Sequence, residues 1–299
     1  MKKAITLLDG SVGQELVKQY GKKPTPIWST EVMLRDPNMV SNIHSAYFEA
    51  GATVATTNSY TILRDRLKHF KLEHEVHNLW NSSVAAACKA RDKFGTGRVA
   101  GSIGPLIASY RPDICPPVEE ASKIYEEKVE SIAPKVDLLL VETVCSLKQA
   151  KGVLAATDKS NKPVWISFSV DDVDGTKLRS GEKLEDVEAV INNHLVEAVL
   201  INCSPPEVVD NALSILSKMG KAFGAYANGF SKISSEFLKT RPTVDALTAR
   251  NDLGPEEYSN FVTNWIRNGA SIVGGCCEIG PTHISKISQK IHKLGYKTL

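Results

Sequence analysis

The sequence predicts an α/β fold: a (β/α)8 barrel, or TIM barrel, built as a single domain over residues 1–299. Two observations carry this. Short runs rich in Val, Ile, Leu and aromatic residues alternate with longer amphipathic stretches along the whole chain. That is the pattern of buried parallel strands joined by helical crossovers. The alternation repeats eight times, the number that closes such a sheet, and 299 residues suit one barrel. An open doubly wound sheet is the alternative that the same alternation allows.

The expected strands are Ile5–Leu8, Thr53–Thr57, Arg98–Ile103, Asp137–Val141, Val164–Val170, Ala198–Ile201, Ala222–Ala227 and Ser271–Val273. The expected helices are Pro37–Ala50, Glu73–Phe94, Val118–Ala133, Ser146–Lys159, Leu184–Asn193, Pro205–Met219, Pro255–Asn268 and Pro281–Leu294. Asp36 before Pro37 reads as an N-cap followed by proline at the first helical position. Glu119 and Glu120 sit early in their helix, where the dipole favours carboxylates. Three connections that follow strands are long: 105–117 with four prolines, 171–183 rich in glycine and charge, and 228–254 with a Thr240-Arg241-Pro242-Thr243 break. Loops of this length in a compact domain cover or build sites, and in a barrel these fall on the catalytic face.

Composition excludes several classes. The formal net charge is +2 with both signs interspersed, which argues against a nucleic-acid or membrane-surface partner. No apolar run approaches the roughly 18 residues of a membrane span. Met1-Lys2-Lys3 precedes an apolar stretch that ends at Asp9, too short for a secretory signal. A cytoplasmic protein is expected. In that compartment the six cysteines are not expected to form a disulfide framework, so clustered ones point to metal or catalysis.

The ends of the strands hold the chemistry. Asp9, Thr57-Asn58, Gly104, Glu142-Thr143, Asn202-Cys203 and Cys276-Cys277 each stand where an apolar run stops. On a barrel these ends converge on one pocket. Gly274-Gly275 lets the backbone bend just before Cys276 and Cys277. The eighth strand lies beside the first and two from the sixth, so Cys203, Cys276 and Cys277 can meet. Three thiolates suit Zn2+ with one position open. Such a centre carries a formal charge of −1, which makes it a poor Lewis acid toward water. It can still hold a substrate thiol as an electron-rich thiolate, and the neutral thioether product leaves. Sulfur alkylation therefore fits better than hydrolysis. Cys88, Cys115 and Cys145 read as packing or free thiols, and the seven histidines, mostly on polar helix faces, are assigned no role.

The same residues carry a resemblance. Leu7-Leu8-Asp9-Gly10-Ser11, Ile27-Trp28-Ser29, Ala50-Gly51-Ala52, Thr57-Asn58-Ser59-Tyr60, Gly101-Ser102-Ile103-Gly104-Pro105, Val141-Glu142-Thr143, Ile201-Asn202-Cys203 and Gly274-Gly275-Cys276-Cys277 resemble, in order, the homocysteine S-methyltransferase family. The resemblance implies a zinc-binding barrel that methylates homocysteine to methionine. Cys203, Cys276 and Cys277 would be the ligands. Asp9 and Glu142 would bind the homocysteine ammonium, backbone amides near Gly10 and Ser11 its carboxylate, and Asn58 and Asn202 would shape the substrate pocket. The chain departs from members that use S-methylmethionine or S-adenosylmethionine at Tyr226-Ala227-Asn228-Gly229-Phe230 and around Arg64 and Arg66. The expected donor is a small sulfonium or ammonium compound: S-methylmethionine, S-adenosylmethionine or a betaine-like molecule. Open alternatives are methyl supply from a corrinoid protein or methyltetrahydrofolate, a barrel with purely structural zinc, and a metal- or thiol-binding protein without turnover.

Overall fold

Branched and aromatic side chains pack well on a pleated surface, and the apolar runs form strands accordingly. The structure, a computed structural model, describes residues 4–21, 25, 27–239 and 247–299. Nine strands are present among them: β1 (Ala4–Leu7), β2 (Val54–Thr56), β3 (Arg98–Ile103), β4 (Leu138–Val144), β5 (Val164–Phe168), β6 (Val196–Asn202), β7 (Ala222–Tyr226), β8 (Ile272–Val273) and β9 (Lys297–Thr298). They form one curled parallel sheet in the order β2-β3-β4-β5-β6-β7-β8-β1-β9. The edge of β1 away from β8 is shared: Ala4 and Ile5 pair with Lys297 and Thr298, and Leu8 bridges Val54 in parallel. Backbone hydrogen bonds run there from Thr53 to Leu7 (2.7 Å) and from Asp9 to Val54 (3.1 Å).

Successive strand side chains point to opposite faces, and in β4 they join two different cores. Leu138 and Leu140 pack with Leu8, Val54, Ala100, Trp165, Ala198, Leu200 and Ile272 on the inside of the curl. Leu139 and Val141 belong to the larger cluster under the helices. All eight strands expected from sequence are there, shifted by a few residues at their ends.

Asp36 caps its helix, accepting from the Met39 amide at 3.3 Å. The helix expected over Leu184–Asn193 is shorter, a 3-10 turn followed by Val187–Ile191. Three helices were not expected: Val12–Tyr20, Ser29–Arg35 and Arg64–Lys68. The Thr240–Thr243 break lies outside the described residues.

Candidate active site at the strand ends

A Cβ on Gly275 would lie 2.2 Å from Ile279 Cγ2, and one on Gly274 would lie 2.6 Å from Leu8 Cβ. Only glycine fits there. The Gly275 amide donates to Asp9 (3.1 Å), Cys276 to Ala227 (2.9 Å) and Gly229 to Cys277 (2.8 Å). The cysteine pair is thus clamped between the end of β1 and the residues after β7. Cys203 follows β6 with φ 48, a left-handed backbone costly for a non-glycine residue. Arg179, from the 171–183 connection, steadies it by donating to the Cys203 carbonyl at 3.2 Å.

The three sulfurs lie within 4.8 Å of one another. Those of Cys203 and Cys276 are paired in disulfide contact, with Cα atoms 5.9 Å apart. The expectation was that no disulfide framework forms; the one sulfur pair in contact belongs to the three-thiol cluster, and the other four cysteines are free. A tetrahedral metal with sulfur ligands at about 2.3 Å holds them about 3.8 Å apart, and Cys276 and Cys277 Sγ are 4.0 Å apart. Burial, with the charges of Glu278 and Glu142, pushes the Cys277 thiol up to about 12. It is a thiolate at neutral pH only if a cation replaces the proton. The donor set fits a soft divalent metal.

Two buried carboxylates stand beside the sulfurs. Asp9 accepts from the Thr56 amide (2.6 Å) and hydroxyl (2.7 Å). Burial nevertheless pushes its carboxyl up to about 8, with the charge of Glu142 adding to the rise. Glu142 accepts from Ser102 Oγ (2.5 Å) and Tyr226 Oη (3.1 Å). It too is raised, again by burial, against the pull of those donors and of Lys128. Each carboxylate lacks a cationic partner sufficient to offset its desolvation. An ammonium placed between them would be that partner.

Asp9, Gly10, Ser11, Asn58, Glu142, Cys203, Cys276 and Cys277 line one cavity of about 600 Å3. Asn202 does not. It is fully buried, its carbonyl accepts from the Thr143 amide and its amide donates to the Thr143 hydroxyl, both at 3.0 Å. It ties β6 to β4 and holds Thr143 at φ 60. The Ser11 amide is also engaged, donating to the Ile279 carbonyl at 2.9 Å. The Val12 amide likewise donates to the Gly10 carbonyl at 3.0 Å, so an incoming carboxylate would instead meet the first turn of Val12–Tyr20 at Gly13, which lines the cavity.

Sequence reasoning missed several residues. Tyr226, singled out in the sequence only within the segment that departs from the family, supports Glu142, and its signal was its place near the end of the seventh apolar run. His44 departs from the expectation of polar-face histidines. It is fully buried, both ring nitrogens lack partners among the described residues, and Nδ1 lies 4.0 Å from Asp9. Burial lowers it to about 4, so it is neutral. Its place between Val40 and Tyr47 on one helix face was the available signal.

A profile of the homocysteine S-methyltransferase family matches residues 6–291. The chain belongs to this family. It is a methyltransferase with relatives in plants and bacteria. It is 28% identical to homocysteine S-methyltransferase 1 of Brassica oleracea var. italica, over 96% of this chain and 93% of that one. It is 27% identical to homocysteine S-methyltransferase YbgG of Bacillus subtilis, over 95% and 93% respectively. The metallated form of the homocysteine methyltransferase MmuM from Escherichia coli superposes with a TM-score of 0.82 at 27% identity, covering 97% of both chains. Among the described residues no helix is long and apolar enough to cross a membrane.

Proposed function

We propose that this enzyme methylates the thiol of homocysteine, with a zinc ion held by Cys203, Cys276 and Cys277. The curled sheet is read as a (β/α)8 barrel, a single domain over residues 1–299, with β9 appended at the seam between β1 and β2. The small net charge and the absence of a long apolar run favour the cytoplasm. The observation that carries the reading is the placement of three sulfurs and two poorly compensated buried carboxylates in one cavity.

When bound, zinc lowers the pKa of a substrate thiol so that it enters the reaction as thiolate. The protein's own residues do the rest. Asp9 and Glu142 take the α-ammonium of homocysteine and regain the charge that burial disfavours. The first turn of Val12–Tyr20 takes its carboxylate. Two-point binding fixes where the sulfur lies, and alignment supplies much of the acceleration. Asn58 borders the same pocket, and Asn202 positions Thr143 and Cys203 from behind. A sulfur lone pair forms the new S–CH3 bond. The donor's bond to that methyl breaks, and its electron pair stays on the donor heteroatom, which becomes neutral. The thiol proton passes to solvent.

The test is methionine formation from homocysteine and S-methylmethionine, S-adenosylmethionine or betaine, with metal content measured on the same protein. One zinc per chain and turnover lost together on chelation are expected, and both absent in Cys276→Ala. Turnover that survives in the metal-free protein or in that variant would sink the reading.

A further inference from the structure

Among the described residues, three cationic side chains, Arg66, Arg111 and Lys239, line the cavity. Two are already matched. Arg111 grips Asp113 through two nitrogens at 2.7 Å and donates to the Leu238 carbonyl at 2.6 Å. Lys239 pairs with Glu236 at 2.5 Å. Arg66 differs: its Nε is buried and has no hydrogen-bond partner among the described residues. Burial lowers Lys128 to about 7, against the pull of Glu142 and with the charge of Arg66 adding to the fall, and its Nζ is spent on the Ser59 carbonyl at 2.6 Å. A buried guanidinium N–H without an acceptor is costly. A guanidinium fork matches a carboxylate better than any other small group.

The opposite requirement exists near the sulfurs. Phe237 packs in one apolar cluster with Cys203, Cys276 and Cys277, its ring centroid 5.8 Å from that of Tyr110, whose ring already carries the Arg179 guanidinium at 4.8 Å. Aromatic rings favour an onium cation over a neutral group. A bare onium would gain there and be repelled by Arg66. A molecule with both charges satisfies both ends.

We propose that Arg66 binds the carboxylate of a zwitterionic onium methyl donor and so selects such donors over simple sulfonium or ammonium ions. This rests on the reading of the protein as a thiol methyltransferase using a free onium donor.

Calorimetric titration tests it on the zinc-loaded protein without turnover. The probes are S-methylmethionine and glycine betaine, each beside its carboxamide. At least one zwitterion is expected to bind, at least tenfold more weakly to Arg66→Gln, with partial recovery in Arg66→Lys. Its carboxamide should bind the unmodified protein at least tenfold more weakly than the acid and be indifferent to Arg66→Gln. The proposal is overturned if neither zwitterion binds, if Arg66→Gln binds them like the unmodified protein, or if the carboxamide binds as well as the acid. The acid–amide comparison needs no variant, so misfolding cannot mask the answer. Donor binding through Arg66 without methionine formation would leave this proposal standing and sink the functional reading instead.

Discussion

The two halves of the cavity are built differently. On one side Asp9, Glu142, Cys203, Cys276 and Cys277 stand at or just beyond the ends of strands, held by hydrogen bonds from neighbouring strands or from the residues that follow them. On the other side Arg66, Tyr110, Phe237 and Lys239 come from the connections after β2, β3 and β7. Strand ends are fixed by the sheet's own register, so groups there keep positions good enough for catalysis. Connections change without disturbing the sheet. The difference teaches a division of labour: the rigid half suits thiol activation, and the loop half suits donor choice.

The largest expected effect lies in the rigid half and follows from Asp9. Its folded carboxyl is raised from 3.8 to about 8, so between these values the folded state holds a proton the unfolded state has lost. Asp9 therefore costs stability as pH rises through that window. Relative to the unmodified protein, Asp9→Asn should gain stability from pH 5 to pH 8, by up to roughly 1.4 kcal/mol per pH unit, and level off above. The neutral His44 contributes stability that is lost as pH falls from 6.5 toward 4, and it is common to both proteins. Urea titrations at several pH values read the difference. A constant gap would mean that the rigid half stores no such cost.

Glu142→Gln comes next. Removing one charge from a buried pair costs about 2–3 kcal/mol, so KM for homocysteine should rise on the order of 30- to 150-fold. The donor KM should stay within about twofold. Equal shifts in both constants would abolish the division between the halves.

Phe237→Ala should do the reverse on a smaller scale. Loss of one ring near an onium is worth roughly 1 kcal/mol, about fivefold in donor KM, with homocysteine KM unchanged. A larger effect on homocysteine would place Phe237 with the rigid half.

The parts readable in the sequence were those written in local pattern. The eight apolar runs announced the strands, because burial on both faces leaves little room for polar residues. The adjacent cysteines after two glycines announced the sulfur cluster. β9 went unseen because Lys297 and Thr298 form no apolar run; a neighbour's free edge makes them a strand. Val12–Tyr20 went unseen because Gln14, Glu15 and Lys18 dilute its few apolar positions. Asn202 was placed in the pocket by the family resemblance, yet its side chain turns back to Thr143. One residue along a strand end reverses the face, and residue type does not report that.

Sequence alone determined the α/β alternation, the convergence of three thiols and the two acidic strand ends, since each depends on residue type and spacing. Tertiary structure decided what surrounds them. It buried His44 against Asp9, set Tyr226 and Ser102 on Glu142, and left Arg66 Nε without an acceptor among the described residues. Those outcomes depend on which side chains from distant segments share a low-dielectric space. That is a property of the packed molecule and is written in no single stretch of chain.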